Sequence, residues 1–318
     1  MSTVRTFREL EDQNYISLEP RRLAGLLGRI NSPARRRLSQ AWAHAFTLVE
    51  LLVVISIIAL LAGLAAPVLN NFKPNYTASV TQRLLTELAR ARQLAISQHT
   101  TVYMVFVPTN FWNDPAYGAL GKWTSADFLQ ASNLLDKQII GYNFVSLHSM
   151  GDQPGRPSVH YLSSWKTLPE GGFIYPAKFL SAALPVMTMY TNDLSGGRKV
   201  AFQVYGFDWA NTVSPQSPII PFPLETTAKG TTRSPYIPLP YIAFDYMGRL
   251  VSNQGKGQGA VLPISRGNVL FSRDPDKKPR KGLATFNEQP VGNVTNGFNV
   301  VHVDPITGRA RALQQEVR

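Results

Sequence analysis

Cysteine is absent from all 318 residues, which excludes a disulfide framework, a thiolate metal site and a cysteine nucleophile. The core is therefore held by packing alone, in a chain long enough for one or two domains. Other signatures of chemistry are missing as well. No Gly-x-x-x-x-Gly-Lys phosphate loop and no Gly-x-Ser-x-Gly nucleophile turn occurs. His44, His99, His148, His160 and His302 stand apart, so no pair has the spacing of zinc ligands on one helix face. Asp274-Pro275-Asp276 lacks the regular oxygen spacing of a calcium loop, and Lys277, Lys278, Arg280 and Lys281 beside it oppose a cation. Gly255-Lys256-Gly257-Gln258-Gly259 neither follows a clear strand nor opens a helix, and reads as a loop. No metal, no cofactor and no catalytic activity is expected.

Charge is sparse, at 16% of residues against 44% hydrophobic, which places the chain among globular proteins. The formal net charge is +12, a bias toward anionic partners. Acidic residues are lacking between positions 20 and 45, where Arg21, Arg22, Arg29, Arg35, Arg36 and Arg37 stand. Directly after comes Phe46–Leu69, in which Glu50 is the sole formal charge. About 20 apolar residues cross a bilayer as a helix, so this stretch qualifies as a span. The basic flank then stays in the cytoplasm and the C-terminal body goes outward. A carboxylate inside an apolar span costs about 3 kcal/mol and calls for a partner, unless it snorkels to the interface. A secretory signal fits poorly. Ala43-His44-Ala45 precedes the apolar run instead of following it, and the run is long for a signal core.

Beyond the apolar stretch, Val80, Leu84, Leu88, Ala91 and Ala95 recur at helical spacing within Thr77–Gln98. Arg83, Glu87 and Arg90 fall elsewhere on that helix as modest surface support. Thr101–Val107 reads as a buried strand, and further strands are expected at Gly172–Tyr175, Val200–Tyr205, Tyr241–Phe244, Val261–Ile264 and Asn299–Val303. Residues 109–165 read as an irregular insertion with a short helix over Ala126–Ile140. The proline-dense run Ser214–Pro240 argues for an extended, edge-covering segment. A partial repeat links Tyr241–Leu250 to Val300–Ala310, each running strand, Asp, turn, Gly-Arg, strand, which is a hairpin signature. Arg309, Arg311 and Arg318, with the basic run at 277–281, are candidate contacts for DNA phosphates. Aromatic residues are not interleaved with either cluster in the sequence, which weakens that partner.

Ala45-Phe46-Thr47-Leu48-Val49-Glu50-Leu51-Leu52-Val53-Val54 resembles the cleavage and methylation motif of prepilins and pseudopilins. The resemblance implies that a prepilin peptidase in the inner membrane cuts between Ala45 and Phe46 and N-methylates Phe46. It also implies that Glu50 pairs with the N-terminal amine of a neighbouring subunit during assembly, and that Pro67 kinks the helix. The family nearly always has Gly before the cut and a shorter leader than these 45 residues. The run from Ala89 through Val107 is similar to the helix-to-first-strand join of minor pseudopilins. The implied organisation is a basic cytoplasmic leader at 1–45, a transmembrane helix at 46–69, an amphipathic helix at 70–100 and a β-rich exported domain at 101–318. The fold expected is α+β, with a long N-terminal helix packed on an antiparallel, pseudopilin-like sandwich. The function expected is that of a minor pilin or pseudopilin in a type IV pilus or type II secretion filament. Its partners would be prepilin peptidase, other pilin subunits and inner-membrane lipid. The rival reading is a surface module for DNA or glycan capture on the same anchor.

Overall fold

The computed structural model describes residues 47–71, 76–119, 121–148, 151–153, 158–181, 184–192, 198–227, 236–252, 257, 259–296 and 299–314. The chain forms two compact units, Met1–Asn71 and Phe72–Arg318. In the first, helix α1 spans Leu48–Asn71 and runs through Pro67. Its described side chains from Leu48 to Leu61 are exposed on every side of the helix. The Ser56 hydroxyl is satisfied within the helix, donating to the Leu52 carbonyl at 2.7 Å. Among the described residues no helix is long and apolar enough to cross a membrane. The side chains of α1 are described only as far as Gly63, a stretch shorter than the about 20 residues a span needs.

The second unit opens with α2 (Tyr76–Ser97), then β1 (Val102–Phe106), α3 (Ser125–Ser132), β2 (Gly141–Ser146), β3 (His160–Tyr161), β4 (Lys166–Thr167) and β5 (Gly172–Ile174). It continues with β6 (Met187–Asn192), β7 (Arg198–Val204), β8 (Asp208–Ala210), β9 (Leu239–Phe244), β10 (Leu250–Val251) and β11 (Ala260–Leu270). It closes with β12 (Thr285–Glu288), the single turn α4 (Asn293–Asn296), β13 (Asn299–Val303) and β14 (Ala310–Gln314). The main sheet has the order β10-β9-β1-β2-β3, with β8 also on β9 and β4 also on β2. A second sheet runs β12-β11-β13-β14 with β5 also on β11, and β6-β7 form a separate hairpin. Every one of these pairings is antiparallel. The unit is therefore α+β and β-rich. Whether α1 and α2 form one long helix falls on residues 72–75, outside the described residues.

Helix α2 is the spine of this unit. Val80, Leu84, Leu88, Ala91 and Ala95 are all fully buried, as the helical spacing predicts. They share one core with strands of both sheets: Met104, Phe106, Tyr142 and Phe144 from the first, Phe173, Leu262, Ile264 and Val301 from the second. Alternation along the strands then sends Val105, Val145, Tyr241 and Ala243 to the opposite face of the main sheet. That face is covered in turn by Phe111, Ala131 and Leu134, and by Ile220, Phe222 and Ile237. With both faces buried, β2 and β9 lose the polar alternation of a half-exposed strand.

Four expectations are corrected. The stretch 109–165 is no mere irregular insertion, because it contains the fully buried β2 beside β1 at the centre of the main sheet. The helix expected over Ala126–Ile140 ends at Ser132. Thr124 and Asp127 cap its start reciprocally, and the chain then turns through Ile139, φ +57°, to bring Gly141 alongside β1. Only glycine fits at 141, since a Cβ there would meet the Lys137 carbonyl at 2.7 Å and Val107 at 2.8 Å. The proline-dense run covers the sheet's face as well as its edge. Asn211 ties it together, donating to the carbonyls of Ile220 (2.8 Å) and Ile237 (2.6 Å) while Pro240 sits in β9 opposite Trp209. Finally, Glu87 is 3% exposed and is no surface residue. It pairs with Arg83 at 2.9 Å and with Lys166 of β4 at 3.4 Å.

The Asp–Gly–Arg repeat forms hairpins β9–β10 and β13–β14. Asp245 Oδ1 accepts from the N–H groups of Met247 and Arg249, and Asp304 Oδ1 from those of Ile306 and Thr307. The Thr307 and Ile306 donors hold the Asp304 carboxyl below the usual carboxylate range. Gly248 and Gly308 take φ of +77° and +62°. The two turns also touch. Leu250 donates to the Pro305 carbonyl at 3.2 Å, and Arg92 Nε of α2 donates to the carbonyls of Gly248 (3.1 Å) and Thr307 (2.8 Å).

Candidate functional site

The candidate site lies at the start of α1. Thr47 stands just outside the helix and is its N-cap: its Oγ1 accepts from the Glu50 N–H at 3.2 Å, and its carbonyl from the Leu51 N–H at 3.1 Å. The Thr-x-x-Glu spacing that produces this geometry is legible in the sequence as a capping signature. Capping leaves Glu50 in the first turn, where the helix dipole favours a negative charge. Its side chain is exposed and makes no hydrogen bond or ion pair with a described residue. Around it Leu48, Val49, Leu51, Leu52, Val53 and Val54 are exposed too. A helix apolar on all sides belongs in a protein core, in a bundle of like helices or in lipid. A lone carboxylate in such surroundings is an acceptor in want of a cation.

Residues 43–66 match the prokaryotic N-terminal methylation motif. That segment is thus of the prepilin type, the signature of a prepilin peptidase substrate and typical of type IV pilins and pseudopilins. No curated protein and no solved structure matches the chain.

Ala45 and Phe46, on either side of the expected cut, lie outside the described residues, as does Arg318. Glu50 and Pro67 both fall within α1. Arg309 and Arg311 are exposed, the first beside the β13–β14 turn and the second opposite His302 in the strand pair. The basic run 277–281 forms an exposed turn closed by the pairing of Arg273 with Pro279. Here the structure supplies an aromatic neighbour that the sequence does not show: Lys281 Nζ lies 5.0 Å from the Tyr117 ring, itself 4.8 Å from Trp123. Among the described residues no group of three or more His, Cys, Asp or Glu is arranged to hold a metal ion. Of the glycine-rich run, Gly257 and Gly259 are described, both at positive φ.

Two residues that position the body were missed in the sequence. Arg92 clamps both hairpin turns, and Glu87 anchors α2 to β4. Neither contact has a local signal, because Lys166 lies 79 residues from Glu87 and Thr307 lies 215 residues from Arg92.

Proposed function

We propose that the chain is a minor pilin or pseudopilin subunit, inserted in the bacterial inner membrane by α1 and assembled into, or priming, a type IV pilus-like or type II secretion filament. Its role is structural and not catalytic. The single observation that carries this reading is a methylation motif at 43–66 opening a helix that is apolar on every described side, with Glu50 its sole charge. Prepilin peptidase would cut before Phe46 and methylate it. Van der Waals packing between α1 helices of neighbouring subunits would then hold the filament, and Glu50 would set axial register by pairing with the new amine of a neighbour. The body carries α2 as its spine and would sit in the periplasm or on the filament surface.

The test is Glu50→Ala. Membrane insertion should be unchanged, because a charge is removed from an apolar helix, while incorporation into filaments is lost. Normal incorporation of the Ala variant sinks the role given to Glu50. A second reading, DNA capture on the same anchor, draws on Arg309 and Arg311, exposed and without an ion pair to a described residue. Neutralising both should then abolish DNA binding and leave assembly intact; retained binding removes that reading.

A further inference from the structure

On the face of the main sheet opposite α2, a cleft of about 320 Å³ opens between α3, β2, the β3–β4 connection and the loop at 223–225. This lies at the small end of ligand sites, about 300–1,000 Å³. Asn143 of β2 lines it although only 1% exposed. Its Oδ1 accepts from the Phe144 N–H at 2.8 Å and from Ser163 Oγ at 2.6 Å, and the backbone donor fixes which end of the amide is oxygen. Its Nδ2 has no hydrogen-bond partner among the described residues. That donor is open to the cleft, so a ligand acceptor can take up the bond that water otherwise makes there.

The rest of the cleft says what kind of acceptor. Trp165 is locked in place: its Nε1 donates to the Pro223 carbonyl at 3.0 Å, and its ring stands edge-on to Phe222 with centroids 5.7 Å apart. An indole held this way offers an apolar wall that does not reorganise on binding. Gln130 of α3 lines the same cleft, with no hydrogen-bond partner for its amide among the described residues. Glu225 supplies an exposed carboxylate on the other side, engaged among the described residues only by a long bond from the Tyr161 N–H at 3.4 Å and by His160 at 3.9 Å. An aromatic wall, two amides and a carboxylate around a small cleft suit a ring whose faces are C–H and whose edge is hydroxyls that both donate and accept. The carboxylate disfavours an acidic ring.

We propose that this cleft binds a neutral pyranose, such as the terminal sugar of a glycan. The inference does not depend on the filament reading, since no residue of α1 takes part. To test it, the full chain is held in a zwitterionic detergent without a sugar headgroup and titrated with maltose, cellobiose and chitobiose. Saturation-transfer NMR on the ring protons reads the contact. At least one sugar should bind saturably, with a Kd of about 1 mM or tighter. Gln130→Ala and Glu225→Gln should each weaken that binding about tenfold, the loss of one hydrogen bond. Both side chains sit at the cleft's margin, and near-UV circular dichroism checks that the variants stay folded. Binding that survives both substitutions, or no saturable binding to any of the three sugars, overturns the proposal.

Discussion

Gly308→Ala separates two demands that the β13–β14 turn makes on its glycine. The first is conformational: φ is +62°, and a side chain held in the left-handed region costs about 1 kcal/mol relative to glycine. The second is spatial. A methyl group at 308 would stand closer than 3.0 Å to the Gly248 carbonyl oxygen of the neighbouring hairpin. That oxygen cannot swing away freely, because it accepts from Arg92 Nε at 3.1 Å. The two turns must part, which strains the Leu250–Pro305 bond between them. Overpacking of this kind costs about 1–3 kcal/mol, so the whole substitution should cost about 2–4 kcal/mol. Gly121→Ala is the control. Its φ is +74° but nothing lies within 4 Å of the added methyl, so it should cost only about 1 kcal/mol. Urea unfolding of the full chain in detergent, followed by near-UV circular dichroism, gives both values against the parent. Equal destabilisation by the two substitutions would refute the claim that the hairpins are stacked.

Three further outcomes are expected. Arg92→Ala should speed hydrogen exchange at the amides of both Gly248 and Gly308, which share that one clamp; a change at a single turn contradicts it. Glu87→Gln should lower stability by about 2 kcal/mol, less than the about 3–5 kcal/mol of breaking a fully buried pair, because Arg83 is 42% exposed and can turn to water. Urea unfolding reads this loss. Burial pushes the Lys178 amine down to about 7 from 10.5, only partly offset by Asp208. Between pH 7 and about 10 the unfolded chain then holds a proton at this site that the folded chain lacks, so stability should rise with pH there and level off at its lower value below pH 7. Lys178→Met should remove up to about 1.4 kcal/mol per pH unit of that slope, and an unchanged slope would show that the amine is not buried.

What the sequence makes legible is what local chemistry encodes. The methylation motif is linear, and Thr47 is close enough in the chain to the Glu50 N–H to cap its own helix. The stripe Val80 to Ala95 announces a buried face because one period places all five residues together. Asp245 and Asp304 build their turns from backbone groups two to four residues on. Where function of position depends on distant partners, the sequence is mute. Glu87 resembles a surface ion pair until Lys166 and Tyr142 close over it. Strand β2 hides because Gly141 and Asn143 dilute its propensity and because burial on both faces erases alternation. The stacking of two turns that look alike in sequence has no pattern of its own. The cleft around Asn143 draws on four separate segments, so nothing in their spacing announces it.

The central claim, that this is a processed prepilin-type subunit, is tested most directly by intact-mass and N-terminal analysis of the protein from native membranes. The account predicts a chain that begins at Phe46 and carries an N-methyl group there, despite Ala45 in place of the family's usual glycine. An unbroken Ala45–Phe46 bond, or a new N-terminus near Ala66 as left by ordinary secretion, would contradict it.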